Sequence, residues 1–220
     1  MDANESLSAM PEAETDVIEI TSDLIRIDTS NFGESSETVG EIAAAEYCAE
    51  RLREVGLEPE VFTTTSSARG GVVIRIAGYQ ANAPALLLHG HLDVVPAVGA
   101  DWSHDPFGGD IAEGFIWGRG AVDMKDMVGM TLAVVRHWAR EGVRPQRDIV
   151  VLLLPDEEAG GTHGGHWLVD NRPDIFEGVT EAVGEVGGFS VSVNEDLRLY
   201  PIQTAEKGIR WLTLHAADRA

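Results

Sequence analysis

Four short stretches hold most of the residues able to do chemistry in this chain. They read H-G-H-L-D at 89–93, G-R-G-A-V-D-M-K-D at 118–126, P-D-E-E-A-G-G at 155–161 and G-E-V-G-G at 184–188. Three adjacent carboxylates, Asp156, Glu157 and Glu158, follow an apolar run. Crowded like charges raise one another's pKa and cost stability unless something positive sits among them. His91 and Asp93 are two apart, so in an extended segment they share one side of the strand. One imidazole nitrogen can then ligate a metal while the other donates a hydrogen bond, which makes Asp93 a carboxylate able to orient the ring. Asp123 stands at a helix start, where it reads either as an N-cap or as a carboxylate bridging two cations. Glu157 and Glu158 are neighbours and point different ways, so one can bind metal while the other stays free to move protons. Glu185 reads as a surface acid or as one more ligand from the next strand end.

A cation with oxygen and nitrogen ligands neutralises such a set. Zinc accepts both, and catalytic zinc sites keep a position open for water. Two ions about 3.5–4 Å apart share a bridging carboxylate and acidify a water toward a pKa of about 7. The free glutamate then serves as general base and afterwards as general acid. His89, His104, His137, His163 and His166 are read as packing, loop or helix-face residues, and Arg119 and Lys125 as charge balance beside Asp123.

The elements that must position these groups are legible from periodicity. Residues 1–14 are expected to form a loose tail. Val17, Ile20, Leu24 and Ile27 predict a helix within 11–30, and Ala44, Ala45, Cys48, Leu52 and Val55 predict another over 38–55. Residues 60–65 and 72–78 read as strands joined by a Gly-Gly turn. The runs 84–95 and 148–154 read as strands buried on both faces. A hairpin is expected around Glu113-Gly114, a helix over 124–142 stopped by Gly142, a short helix within 162–173, and a strand over 181–188. Alternating strands and helices give an α/β, three-layer arrangement with a mixed, largely parallel sheet. In such sheets ligands bind beyond the carboxyl ends of the strands, where all four motifs fall.

Composition narrows the function. The formal charge is −21, from 37 acids and 16 bases, which argues against nucleic acid and anionic membranes as partners. The single cysteine, Cys48, excludes an intrachain disulfide. The acidic start lacks the pattern of a signal peptide, and no apolar run approaches the roughly 18 residues of a membrane span, so a cytoplasmic location is expected.

Together the motifs H-L-D (91–93), G-R-G-A-V-D-M-K (118–125), D-E-E-A-G-G (156–161) and E-V-G-G (185–188) resemble those of the dinuclear zinc exopeptidases and deacylases. That group includes carboxypeptidase G, aminoacylase, acetylornithine deacetylase and succinyl-diaminopimelate desuccinylase. The resemblance implies His91, Asp123, Glu158 and Glu185 as metal ligands, with Asp123 bridging two zinc ions and followed by a strained peptide bond. It implies Glu157 as general base and Asp93 as the residue orienting His91, with cobalt or manganese as substitutes for zinc. The substrate it implies is a small peptide or an acyl-amino acid. It further implies a catalytic domain over 15–206 and, from 207, the start of an inserted lid through which a homodimer forms. A second metal-binding histidine and a lid histidine are expected beyond residue 220, so these 220 residues alone are expected to be inactive or to bind one metal.

Overall fold

The computed structural model describes residues 11–185, 190–194, 197–201 and 214. The chain divides into two compact units, Met1–Glu185 and Val186–Ala220. The boundary expected at 206/207 lies outside the described residues, as does most of 202–220.

The first unit begins with helix α1 (Pro11–Arg26), so residues 11–14, expected in the tail, are already helical. Ala13 and Asp16 of this helix are buried, Asp16 paired with Arg136 and Arg140. The helix stops four residues before the expected end. Beyond it, Thr29–Asn31 run beside Leu92–Val94: Thr29 Oγ1 donates to Leu92 O at 2.7 Å, and Asn31 N donates to Val94 O at 2.9 Å. Helix α2 (Ile42–Arg53) buries Ala44, Ala45, Cys48, Ala49 and Leu52, the stripe its sequence spacing gives. Strands β1 (Glu60–Thr63) and β2 (Gly70–Ile76) pair antiparallel. Gly70 and Gly71, expected to form the turn, lie inside β2. A Cβ at Gly70 would come 2.3 Å from Phe62 O, and one at Gly71 would come 2.2 Å from Leu153 O. These glycines serve close strand approach rather than chain reversal.

Strand β3 (Ala85–His91) is followed by the hairpin β4 (Asp110–Ala112) and β5 (Phe115–Trp117), which turns at Glu113 and Gly114 as expected. Helix α3 (Lys125–Glu141) ends at Gly142, which is left-handed at φ 64°. Strand β6 (Ile149–Leu154), helix α4 (Gly165–Asn171), a 3-10 turn (Pro173–Phe176) and strand β7 (Val179–Val183) complete the unit.

The sheet order is β1-β2-β6-β3-β7. Strand β3 is parallel to both neighbours, β6 and β7, while β2 is antiparallel to β6 and to β1. Four of the five strands therefore point one way, and the sheet is mixed and largely parallel. Side chains of β6 alternate between two cores. Ile149, Val151 and Leu153 pack with Leu24, Leu52 and Leu132 of α1, α2 and α3. Val150 and Leu152 pack with Leu168 of α4 and Ile175. Helices cover both faces, which makes three layers. Because β3, β6 and β7 are parallel neighbours, their carboxyl ends open at the same edge. The second unit carries a short antiparallel pair, β8 (Val191–Ser192) and β9 (Arg198–Leu199). Among the described residues no helix is long and apolar enough to cross a membrane.

Candidate metal centre

The parallel register places the motifs. His91 is the last residue of β3 and sits opposite Leu154, the last of β6. Asp156, Glu157 and Glu158 follow directly from β6, and Glu185 comes two residues after β7. Asp123 immediately precedes the Met124 that opens α3. All six expected residues are thus delivered to one edge by three strand ends and one helix start.

His91 is buried, and its ring is fixed by Asp93 in two ways. Nδ1 lies 2.9 Å from the Asp93 backbone oxygen and 3.5 Å from Asp93 Oδ1. A carbonyl only accepts, so Nδ1 is the donor, and in the neutral ring Nε2 keeps its lone pair. Nε2 faces carboxylates: Asp123 Oδ1 at 3.0 Å, Glu185 Oε2 at 3.7 Å and Glu157 Oε2 at 3.8 Å. Two sets of donors gather within 4.8 Å of one another, His91 with Asp123 and Glu158, and His91 with Glu157 and Glu185. The structure brings His91, Asp123, Glu157, Glu158 and Glu185 together at this edge. Asp93, expected to orient the ring through its carboxylate, brings its backbone oxygen closer to Nδ1 than that carboxylate. The side chain, besides facing the ring, accepts Glu157 N at 3.0 Å, Glu158 N at 3.1 Å and Asn31 Nδ2 at 2.7 Å. The peptide after Asp123, expected to be unusual, is cis.

The electrostatics are those of carboxylates crowded around one imidazole. Burial, then the hydrogen bond and negative charge of Asp123, push Glu185 up to about 7. Burial and the charge of Asp123 also raise Glu158. Burial acts to lower His91, but the hydrogen bond and charge of Asp93 and the charge of Glu157 outweigh it, raising the imidazole to about 10. A divalent cation fits this set: it would replace the proton on Nε2 and relieve the repulsion that raises Glu158 and Glu185. The donors are one imidazole nitrogen and carboxylate oxygens, which suit zinc and also cobalt or manganese.

Several neighbours carry more than their sequence positions suggest. Asp156 is 1% exposed and left-handed at φ 67°. It accepts from Asn31 Nδ2 at 3.1 Å and His163 N at 2.7 Å, and it pairs with Arg69 at 2.9 Å. The loop closes tightly over it: Gly161 N donates to Asp156 O at 2.6 Å, and a Cβ on Gly164 would fall 1.7 Å from Pro155 O. Lys125, expected to balance charge beside Asp123, is instead fully buried. Its Nζ donates to Leu24 O at 2.9 Å and Ile27 O at 2.8 Å, closing the C-terminal end of α1. Arg119 stacks on Trp102. His163, read as a loop residue, joins three loops, with Nδ1 at 2.8 Å from Thr65 Oγ1 and Nε2 at 2.8 Å from Glu34 Oε1. Asn31, Arg69 and Glu41 were not singled out by the sequence. Nothing in their spacing marks them, because they reach the site from loops remote in the chain.

Residues 87–212 match the profile of Peptidase family M20/M25/M40, and the chain belongs to that family. Over 137 residues it is 39% identical to aminoacylase-1 of Sus scrofa, a match covering 60% of this chain and 32% of that protein. The match thus spans about a third of the length of this curated relative. Human carnosine dipeptidase 1 shares the fold, with a TM-score of 0.68 at 19% identity over 82% of this chain and 40% of that one. So does the Bacillus subtilis YXEP protein, described as a dinuclear metal binding peptidase from the M20 family. Its TM-score is 0.55 at 16% identity, covering 78% of this chain and 42% of that one.

Proposed function

We propose that this chain is the metal-binding part of a hydrolase that cleaves an amide bond next to a free carboxylate, as in a dipeptide, a C-terminal residue or an N-acyl amino acid. The observation that carries this reading is the set of four carboxylates, Asp123, Glu157, Glu158 and Glu185, around the buried imidazole of His91. In this reading His91, Asp123, Glu158 and Glu185 would hold zinc. Bound there, divalent cations supply Lewis acidity toward a water and the scissile carbonyl.

The chain's own residues divide the remaining work. Asp93 holds Nδ1 as a donor through its backbone oxygen, so Nε2 is the ligating atom. Glu157 is the more exposed member of the glutamate pair. Its carboxylate takes a proton from the attacking water and later delivers it to the departing nitrogen. Glu158, half-buried beside Asp123, suits a ligand rather than a proton carrier. Substrates are assigned by likeness to an aminoacylase and to the fold of a dipeptidase.

The test is Glu157→Gln, made both in these 220 residues and in a chain of the relatives' length. Zinc per chain should be unchanged, while hydrolysis of acyl-amino acids and dipeptides by the longer chain falls by about 10²–10⁴. Retained turnover would remove the proton-carrier role.

A further inference from the structure

We propose that Asn31 and Arg69 are positioning residues for the metal centre, holding the backbone of Glu157 and Glu158 through the two buried carboxylates Asp93 and Asp156. The inference rests on the metal-centre reading above for its purpose, and on hydrogen-bond geometry for its content. Asn31, Arg69, Glu41, Asp93 and Asp156 are each at most 7% exposed, and they come from separate parts of the chain. Asn31 Nδ2 donates to both carboxylates, to Asp93 Oδ2 at 2.7 Å and to Asp156 Oδ1 at 3.1 Å. Its two protons are thereby used and its amide orientation is fixed, since Oδ1 accepts from Gly33 N at 2.9 Å and Arg69 Nη2 at 3.2 Å. Arg69 spreads its guanidinium over the same assembly. Nη1 lies 2.9 Å from Asp156 Oδ1 and 2.9 Å from Glu41 Oε1, and Nη2 lies 3.2 Å from Gly33 O.

Asp93 completes the linkage. Its two oxygens accept the backbone N–H groups of Glu157 and Glu158, the bonds that present one glutamate beside the other at the end of β6. Asn31 donates to Asp93 Oδ2, the oxygen that also accepts the Glu158 amide. Arg69 holds Asn31 and Asp156 together. A planar fork with several donors spans these acceptors, and a single ammonium does not. Glu41 anchors the fork from behind: its Oε1 receives Arg69, while Oε2 is buried without a partner among the described residues. Supporting groups of this kind typically change metal affinity by about 10–100-fold when removed.

The experiment uses amide hydrogen exchange on the metal-free chain and Co²⁺ titration, with Arg69→Met, Arg69→Lys and Asn31→Ser. Protection of the Glu157 and Glu158 amides should fall about 10-fold or more in all three, while the β6 amides of Val150–Leu153 keep theirs. Co²⁺ affinity should fall about 10-fold. Equal loss of protection at β6 would show a merely structural role and overturn the proposal, as would unchanged protection at Glu157 and Glu158. Wild-type behaviour of Arg69→Lys would overturn the fork geometry in favour of charge alone. If the wild-type chain binds no Co²⁺, the metal-centre reading fails, and the exchange data still decide whether Asn31 and Arg69 set the loop.

Discussion

Replacing Asp93 is the sharpest perturbation of this centre, because one side chain satisfies so many donors. Asp93 is 0% exposed and accepts from Asn31 Nδ2, Glu157 N and Glu158 N. Asp93→Ala takes this acceptor from the two part-buried amides and from one of the two Asn31 protons, each loss costing about 1–3 kcal/mol. Against that, removing the charge relieves Glu41, whose pKa stands at about 7 through burial and then the charge of Asp93. The net cost expected for breaking a buried charged network is about 3–5 kcal/mol. For a unit of this size that lowers Tm by roughly 6–20 °C, taking about 2–4 °C per kcal/mol. Asp93→Asn keeps the shape and one acceptor but sets an NH₂ against a backbone N–H, so an intermediate loss of about 2 kcal/mol is expected. Urea titration followed by tryptophan fluorescence and circular dichroism gives both numbers. A loss under about 1 kcal/mol for Asp93→Ala would refute the claim that this carboxylate organises the loop. The sign with pH follows from the direction of the Asp93 shift. Burial raises its pKa, but the hydrogen bond and charge of His91, with those of Asn31 and the Glu157 amide, outweigh burial and lower it. A depressed folded pKa contributes stability above the unfolded value of about 4, and that stability is lost as pH falls through the folded value.

Asp16 gives an independent pH signal far from the metal centre. Burial works to raise it, but hydrogen bonds from Arg140 and Arg136 outweigh burial and lower it. Asp16→Asn should cost about 2 kcal/mol at pH 7, and the difference from wild type should shrink below about pH 4, as urea midpoints at the two pH values would show. Gly164→Ala forces the loop away from Pro155 O, so Co²⁺ affinity should fall while the far-ultraviolet circular dichroism stays that of the wild type. Leu132→Ala, fully buried between the helices and the sheet, should cost about 2–5 kcal/mol in denaturant without altering the metal stoichiometry of the folded fraction.

The sequence made the strand ends legible because buried parallel strands read as continuous apolar runs that break into polar residues where they emerge. His91 after Leu86-Leu87-Leu88, and Glu157 after Leu152-Leu153-Leu154, are visible for that reason. The helices α2 and α3 are equally plain from period alone, although α2 is shorter at both ends than the expected 38–55 and leaves Val55 outside it. Local reading failed where a residue's role is set by something distant in the chain. Gly70 and Gly71 look like a turn until the carbonyls of Phe62 and Leu153 are seen beside them. Lys125 looks like a surface charge until the end of α1 is found around its Nζ. Asn31 and Arg69 are an ordinary asparagine and arginine in loops, and only the fold brings them to carboxylates 62 and 87 positions further along the chain.

The central claim is that divalent ions draw the scattered acids into one site. Titrating the metal-free chain with Co²⁺, read by visible absorption and by metal per chain, tests it most directly. The account expects at least one ion per chain, with binding lost in His91→Ala and weakened in Asp123→Asn. A wild-type chain that folds and binds none, or one whose binding is indifferent to His91, would contradict it.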